Sequence, residues 1–224
     1  MNICEPLPKS LCPTQFKSLN ELLGYIAVTH RYLPAFTCAG LTLSYLEIDE
    51  LSTRFASYLQ NETSLVPGDR IAIQLPNLLQ FPIALFGAIK AGLVVVSTNP
   101  LYTPYEMKHQ FRDSGAKGIV ILESFCQKLE KILPNTQIET VLVATLGDIR
   151  PAFARVGINF IAKYVKRVVP AYSLKGAVYF EKALKNDYAY DESFSTSLDE
   201  TAVLLYTGGT LSLIHISEPT RRYS

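Results

Sequence analysis

Short apolar runs recur along the chain and alternate with stretches of mixed polarity. Four of these runs are rich in Val and Ile and are bounded by turn residues, which predicts β-strands over Arg70–Leu75, Leu93–Ser97, Gly118–Leu122 and Thr140–Ala144. Three of the four are nearly continuous in apolar residues rather than alternating with polar ones, which indicates burial on both faces. Strands of this kind are typical of a parallel sheet that is covered by helices.

Capping boxes mark where helices begin between these strands, because a box satisfies amide groups that have no partner in the first helical turn. We expect three boxes, formed by the pairs Ser44 with Glu47, Asn77 with Gln80, and Thr103 with Glu106. The helices predicted from these three pairs cover Tyr45–Gln60, Leu78–Ala91 and Pro104–Asp113. A fourth helix is predicted over Ser124–Leu133, between the last two of the four strands.

From residue 70 to residue 144 the elements therefore alternate between strand and helix. This order predicts an α/β fold of layered, largely parallel sheets flanked by helices, with right-handed crossovers. Upstream we expect a helix over Leu19–Arg31 and a short strand over residues 41–43, and downstream an apolar strand over residues 202–206.

A glycine turn, Thr207-Gly208-Gly209-Thr210, follows the last predicted strand. Glycine leaves backbone amides open to a phosphate, and neighbouring hydroxyls can donate to phosphate oxygens or bind magnesium. Alone the pattern is weak, since glycine pairs after strands are usually plain turns. It is not a Walker loop, because no G-K-[ST] follows, and the chain contains no G-x-G-x-x-G dinucleotide fingerprint.

Composition and charge narrow the classes of function. The formal net charge is +1, which does not favour nucleic-acid binding. The four cysteines form no C-x-x-C pair, so we expect reduced thiols rather than a disulfide framework or a zinc site. His30 and His109 have no ligand cluster nearby in the sequence, so we expect no metal site at either. The apolar run Phe81–Val96 is shorter than the roughly 20 residues that span a bilayer, and the amino terminus does not resemble a secretory signal.

Several blocks of sequence resemble one known family, the bacterial long-chain fatty-acid–CoA ligases of the adenylate-forming (AMP-dependent synthetase) superfamily. The block that ends in the glycine turn resembles the start of that family's ATP-phosphate loop. The other similar blocks keep their order and spacing, and the full set is Gly68–Gly87, Asn99–Glu106, Asp113–Ala116, Asn159–Pro170 and Leu204–Thr210. We expect the first four to act mainly in packing and capping.

The resemblance implies a two-step reaction. A fatty carboxylate attacks the α-phosphate of ATP–magnesium to give acyl-adenylate and pyrophosphate, and CoA then displaces AMP to give acyl-CoA. The implied substrates are a long-chain fatty acid, ATP and CoA, with Mg²⁺ as cofactor and a cytoplasmic location. In this sequence Thr207, Gly208, Gly209 and Thr210 are the residues that match the loop holding the β- and γ-phosphates, and no catalytic residue of the family falls within the chain.

The family pattern stops after Thr210, where a hydroxyl- and lysine-bearing continuation would be expected. We therefore divide the chain into residues 1–210, a truncated amino-terminal AMP-binding domain, and residues 211–224, a tail outside the family pattern. Residues 211–221 resemble the translation of a sequencing-library adapter, and the alternative is a natural truncation or frameshift. With the lysine and all later segments missing, we expect this chain alone to be inactive in adenylation.

Residues 157–172 form a second candidate segment. Apolar residues recur there at helical spacing, basic residues flank them, and Pro170 is the expected helix end; these positions are Ile158, Ile161, Val165 and Val168, with Lys163, Lys166 and Arg167. At about 1.5 Å per residue the helix reaches roughly 20 Å, too short to cross a bilayer of about 30 Å. Two interpretations stay open: the apolar face packs on the core, or the helix lies peripherally on the inner face of the cytoplasmic membrane, near anionic lipid.

Two rivals to fatty-acid activation also remain. One is another acid–CoA or AMP-forming ligase of the same superfamily, because the phosphate loop is shared across it. The other is a non-catalytic, membrane-associated α/β fragment.

Overall fold

Residues 16–194 and 200–206 are described by the computed structural model of the chain. The helices are α1 Leu19–Thr29, α2 Tyr45–Glu62, α3 Gln80–Lys90, α4 Pro104–Ser114, α5 Cys126–Ile132, α6 Ala152–Phe160 and α7 Phe180–Leu184. The strands are β1 Pro34–Cys38, β2 Leu41–Ser44, β3 Arg70–Gln74, β4 Val94–Ser97, β5 Gly118–Leu122, β6 Thr140–Ala144, β7 Val178–Tyr179 and β8 Val203–Leu205. Short 3₁₀ turns flank α5, and a π-helical segment, Ile161–Val165, continues α6.

Six strands form one sheet in the order β7-β6-β5-β3-β4-β8, and every neighbouring pair in it is parallel. The remaining two strands, β1 and β2, form a separate antiparallel hairpin. The predicted α/β fold with a largely parallel sheet is therefore confirmed. The prediction missed β1 and β7; β1 contains Pro34 and Thr37 and has no continuous apolar run, and β7 is only two residues long.

Alternate residues of the strands face two apolar cores. On one face Ile71, Ile73 and Val95 pack with the residues of α2, α3 and α7. On the other face Ala72 and Val96 pack with the residues of α4 and α5. Burial of both faces explains why the strands read as nearly continuous apolar runs.

Two of the three expected capping boxes are present. Ser44 caps α2 with Glu47, and Thr103 caps α4 with Glu106. The box expected between Asn77 and Gln80 is wrong: α3 begins at Gln80 without a side-chain cap. The Gln80 amide instead donates a 2.7 Å hydrogen bond to the Thr145 carbonyl at the end of β6. A tertiary contact has thus replaced the local one.

Helices α2 and α3 approach each other closely at Gly87. A Cβ atom at this position would lie 2.6 Å from the Phe55 ring and 2.8 Å from the Ser52 carbonyl oxygen. Both distances are shorter than a van der Waals contact, so only glycine allows this approach. The Phe55 ring is fully buried and packs against Phe180 of α7, with ring centroids 4.9 Å apart.

A buried ion pair also links α2 and α3. The Lys90 ammonium donates to the Asp49 carboxylate at 2.6 Å, to the Asp49 carbonyl at 3.0 Å and to the Thr53 hydroxyl at 2.8 Å. All three of its protons are therefore used. Burial lowers the pKa of Lys90, and the bond to Asp49 opposes that shift. The pair lies beside an apolar cavity of about 240 Å³ between α1, α2 and α3.

Candidate functional site

The carboxyl ends of β3, β4 and β8 meet at one edge of the sheet. From β3 the chain crosses to β4 on one side and then back to β5 on the other, and from β5 it continues away to β6, so the direction of winding reverses between β3 and β5. In open parallel sheets ligands bind outside the carboxyl ends of the strands at such a reversal. The carboxyl edge of the sheet around the end of β3 is therefore the candidate site that the topology indicates.

Strand β8 leads toward this edge. It pairs with β4 in parallel, with Val203 opposite Val95 and Leu205 opposite Ser97. The predicted phosphate-binding residues Thr207, Gly208, Gly209 and Thr210 follow directly in the sequence, but they lie outside the described residues. The structure therefore confirms the preceding strand and leaves the four residues themselves as a prediction.

Tyr206, the last described residue before the glycine turn, is tied to α4. Its hydroxyl donates a 2.6 Å hydrogen bond to the Asp113 carboxylate. Burial and the bond to Asp113 raise the pKa of Tyr206 to about 12. The ring packs partly buried against the core on the α4 side of the sheet. The chain that leaves β8 is thus anchored one residue ahead of the turn.

Two glutamines at the same edge were missed by the sequence analysis. Gln74 ends β3 and Gln110 lies in the middle of α4, and they are 0% and 1% exposed. The Gln74 amide donates to the Asn99 carbonyl at 3.3 Å, and the Gln110 amide donates to the Ser97 carbonyl at 3.1 Å. Their side-chain oxygens have no hydrogen-bond partner in the described part of the chain. A polar residue that ends an otherwise apolar strand was the available signal for Gln74.

A second polar cluster lies just beyond the carboxyl end of β6. The Thr145 hydroxyl and amide both donate to the Asp148 carboxylate, at 2.5 and 2.7 Å, and the Asn159 amide donates to the same hydroxyl at 3.0 Å. Burial raises the pKa of Asp148 to about 6, although both bonds from Thr145 act in the opposite direction. The cluster fixes the start of the connection to α6.

The second predicted segment differs from the expectation in extent. Its helix begins earlier than predicted, at Ala152, and continues through the π-helical residues to Val165. Lys166 then caps the helix, and Arg167 adopts a left-handed backbone conformation with φ of 50°. The expected end at Pro170 is therefore wrong, because the left-handed residue turns the chain before the proline is reached.

The basic and apolar side chains of this segment are exposed. Lys163, Lys166 and Arg167 all lie on the surface. Around them several large apolar side chains are also exposed, with Phe153 at 82%, Phe160 at 56% and Tyr164 at 61%. Among the predicted apolar-face residues Ile161, Val165 and Val168 are at least 46% exposed. These three side chains do not pack on either of the two cores formed by the described residues, whereas Ile158 is half-buried.

Neither a metal centre nor a membrane-crossing helix is found in the described ranges. No three His, Cys, Asp or Glu side chains among residues 16–194 and 200–206 are close enough together to hold a metal ion. In the same part of the chain no helix is both long and apolar enough to cross a bilayer.

Residues 26–212 match the family profile described as AMP-binding enzyme. The chain belongs to the AMP-binding enzyme family. The match covers both cores, the edge formed by β3, β4 and β8, and the glycine turn. It ends two residues after Thr210, the last residue of the family pattern in the sequence.

The relatives of this AMP-binding enzyme narrow the family further. The long-chain-fatty-acid–CoA ligase of Salmonella typhimurium is 40% identical over 205 residues, and that of Yersinia pestis is 41% identical over 208 residues. Each alignment covers 91% of this chain and 36% of the relative. The resemblance to bacterial long-chain fatty-acid–CoA ligases is confirmed, and the chain spans about a third of the length of these relatives.

Solved structures confirm the fold of the AMP-binding enzyme. A benzoate CoA ligase from Burkholderia xenovorans superposes with a TM-score of 0.65 over 85% of this chain and 33% of its own, at 20% identity. A long-chain-fatty-acid-CoA ligase from Archaeoglobus fulgidus superposes with a TM-score of 0.59 over 87% of this chain and 35% of its own, at 18% identity. The parallel sheet flanked by helices is thus the arrangement of the amino-terminal domain of adenylate-forming enzymes.

Proposed function

We propose that the full-length protein to which this segment belongs is a long-chain fatty-acid–CoA ligase. It forms acyl-CoA, AMP and pyrophosphate from a fatty acid, ATP and CoA. The observation that carries the proposal is the 40% identity to the Salmonella typhimurium ligase over 91% of the chain. It is supported by the position of β8, which directs the chain toward the carboxyl edge of the sheet.

Within this reaction we assign the phosphate-binding role to Thr207, Gly208, Gly209 and Thr210. Glycine amides without side chains beside them can approach phosphate oxygens closely, and the two hydroxyls can donate to the same oxygens. A magnesium ion would be held mainly by the phosphates of ATP, which is its usual mode in enzymes that use nucleotides, and the Thr207 and Thr210 hydroxyls fit as its protein ligands. The ion would neutralise phosphate charge during attack by the carboxylate.

We propose further that the 224-residue chain does not complete the reaction by itself, because it spans about a third of its relatives. The test compares this chain with a chimaera in which residues 1–206 are joined to the aligned remainder of the Salmonella typhimurium ligase. We expect palmitate-dependent pyrophosphate release from the chimaera and none from the chain alone. A folded chimaera that binds no ATP and releases no pyrophosphate would contradict the assignment.

The same assay separates the fatty-acid branch from other acid–CoA ligases. Benzoate and palmitate are offered in parallel to a chimaera whose carboxyl-terminal part comes from the Burkholderia xenovorans benzoate CoA ligase. If this chain contributes contacts to a long acyl group, palmitate is used by that chimaera as well as benzoate. Exclusive use of benzoate assigns acid selectivity to the carboxyl-terminal part.

Residues 211–224 are proposed to be foreign to the ligase. The family match ends at residue 212, which supports a boundary near Thr210. Sequencing the gene across codon 210 from unamplified genomic DNA tests this proposal. We expect codons for a hydroxyl-rich, lysine-bearing segment in place of the tail, and a genome that encodes residues 211–224 at this position would refute it.

A second candidate function is peripheral contact with the cytoplasmic membrane through α6 and the π-helical segment. It is favoured by the exposed aromatic residues Phe153, Phe160 and Tyr164 beside three exposed basic residues. In addition, no Asp or Glu occurs from residue 149 to residue 180. Exposed aromatic and aliphatic side chains with basic flanks are typical of helices that lie in an anionic membrane interface.

Flotation with vesicles of phosphatidylglycerol and phosphatidylethanolamine tests this contact on the 224-residue chain. Changing Lys163, Lys166 and Arg167 to Glu is expected to abolish recovery with the vesicles. The matched control changes Lys108, Arg112 and Lys131 on α4 and α5 to Glu, with the same change in net charge. An equal loss of vesicle recovery in both triple variants would show that only the overall charge matters. It would reject α6 and the π-helical segment as the membrane-contacting surface.

A further inference from the structure

A cavity of about 240 Å³ lies among α1, α2, α3 and the hairpin strand β1. Its wall is mainly apolar, and the apolar side chains used in the argument below are Leu23, Ile26, Ala27, Phe36, Ile48 and Phe86. Apolar walls offer water few hydrogen-bond partners, so a cavity of this kind is poorly hydrated and takes up apolar molecules. The cavity is therefore a candidate binding site for a small apolar ligand.

This cavity is separate from the candidate site at the carboxyl edge of the sheet. Helix α3 begins at Gln80, after the carboxyl end of β3, and ends at Lys90, before the amino end of the parallel strand β4. Phe86 and Lys90, which line the cavity, belong to the second half of this helix. They therefore lie toward the amino edge of the sheet, away from the strand ends assigned to the ligase reaction.

The charged part of the cavity wall is the Lys90–Asp49 ion pair. The Lys90 side chain is 6% exposed, and its three protons are used by Asp49 and Thr53, so it has none left for a ligand. The Asp49 side chain is 33% exposed, and a carboxylate can accept several hydrogen bonds. Because the pair has no net charge, this part of the wall fits an uncharged group that donates a hydrogen bond.

We propose that the cavity binds an uncharged, hydroxyl-headed amphiphile, a medium-chain alcohol, whose hydroxyl donates to the Asp49 carboxylate and whose alkyl chain packs against Leu23, Ile26 and Phe86. The volume lies below the roughly 300–1,000 Å³ of sites for drug-sized ligands, so the site takes a chain of medium length. The proposal adds a site to the ligase and does not depend on the proposed reaction.

The head group distinguishes this ligand from the fatty acid of the proposed reaction. A carboxylate beside Asp49 meets a like charge and finds no free proton on Lys90, and an alkylammonium ion meets the buried Lys90 charge. Either ion also loses hydration on entering an apolar cavity. We therefore expect n-octanol to bind at least about tenfold more tightly than octanoate or octylamine.

Calorimetry and methyl NMR on the 224-residue chain test the site, with n-octanol as the probe. Saturable shifts are expected for the methyl groups of Ile26 and Ile48, and none for Ile121, which is fully buried in the core on the α4 side of the sheet. Absence of saturable binding, or equal shifts at Ile121, overturns the proposal. Octanoate or octylamine that binds as tightly as n-octanol overturns it as well.

Two changes in α1 test the location. Ala27→Phe fills the cavity and is expected to weaken n-octanol binding about tenfold, because roughly two fewer methylenes are buried. The matched control is Val28→Phe, at the next residue, which is 77% exposed and does not line the cavity. It should leave the affinity unchanged, and an equal loss in both variants rejects this location.

Leu23→Ala tests the same location by enlarging the cavity, and it does not require a large side chain to be accommodated. We expect n-decanol to gain on n-octanol by about tenfold in this variant, because roughly two more methylenes are buried. An unchanged ratio of the two affinities overturns the packing of the alkyl chain against Leu23.

Asp49→Asn tests the contact with the head group. It leaves the Lys90 ammonium without an anionic partner, so octanoate is expected to bind more tightly than n-octanol in this variant. A preference for n-octanol that survives the substitution overturns the role of Asp49.

The chimaera with the Salmonella typhimurium ligase separates this site from the acid site. Binding of n-octanol without competition against palmitate supports an independent site. Competitive inhibition against palmitate, with an inhibition constant equal to the n-octanol affinity, places the alcohol in the acid site and overturns the proposal. An inactive chimaera that still binds n-octanol supports the site and counts against the proposed function alone.

Discussion

The Tyr206 hydroxyl and the Asp113 carboxylate are joined by a 2.6 Å hydrogen bond between the end of β8 and the last turn of α4. The two residues are far apart in sequence, so the bond fastens the edge strand to a helix that packs on the same face. Removing the hydroxyl with Tyr206→Phe keeps the ring in the core. We expect the free energy of unfolding to fall by about 1 kcal/mol.

A double-mutant cycle with Asp113→Asn checks this value, with urea denaturation as the measurement. The coupling energy is expected to be about 0.5–1 kcal/mol, since Tyr206→Phe removes the donor and Asp113→Asn replaces the charged acceptor with a weaker, neutral one. Tyr105→Phe is the control, because Tyr105 lies on the same helix and is 82% exposed. Additive effects of Tyr206→Phe and Asp113→Asn would show that the bond does not stabilise β8.

Gly87 offers a prediction about the approach of α2 and α3. Gly87→Ala places a methyl group against the Phe55 ring and the Ser52 carbonyl, neither of which can move without disturbing the core. We expect a loss of about 2 kcal/mol or more in unfolding free energy. Gly24→Ala in α1 is the control, since nothing lies within 4 Å of its added Cβ, and it should stabilise the chain by about 0.5–1 kcal/mol. Equal melting temperatures for the two variants would contradict the packing described at Gly87.

The Lys90–Asp49 pair predicts an asymmetry between its two partners. Asp49→Ala leaves a buried ammonium with only a carbonyl and a hydroxyl, and we expect a loss of about 3 kcal/mol. Lys90→Met removes the buried charge and fills most of the same volume, while Asp49 keeps access to solvent. We expect that change to cost clearly less in chemical denaturation. A larger loss for Lys90→Met would show that the ammonium is better solvated than its burial indicates.

Asp148 predicts a dependence of stability on pH. Its folded pKa of about 6 lies above the value of an exposed Asp, so between pH 4 and pH 6 the folded chain holds its proton while the unfolded chain releases it. The contribution of Asp148 to the free energy of unfolding is therefore fully present below pH 4. It decreases by on the order of 2 kcal/mol as the pH rises toward 6. Asp148→Asn should flatten this slope in urea denaturation at pH 4, 5 and 6. An identical slope in the variant would assign the effect to another group.

The sequence predicted those features that depend on neighbours in the chain. Val- and Ile-rich runs identified β3 to β6, and the capping pairs of Ser44 and Thr103 placed two helix starts at the observed residues. Gln80 is a position at which local sequence does not predict the structure. Its side-chain amide donates to the carbonyl of Thr145, 65 residues away, instead of capping its own helix. The unsatisfied oxygens of Gln74 and Gln110 become visible only when three strand ends are brought together. The exposure of Phe153 and Phe160 likewise depends on tertiary packing, because it is set by which other elements of the fold lie against α6.

Among the described strands of the sheet β8 is synthesised last, yet its partner β4 lies about 100 residues earlier in the chain. At roughly 5–20 residues per second on the ribosome, β4 waits several seconds for β8. During that interval β3, β4 and β5 can already associate, since their connections are short. The nascent chain therefore carries an unpaired, Val-rich edge until β8 pairs with β4.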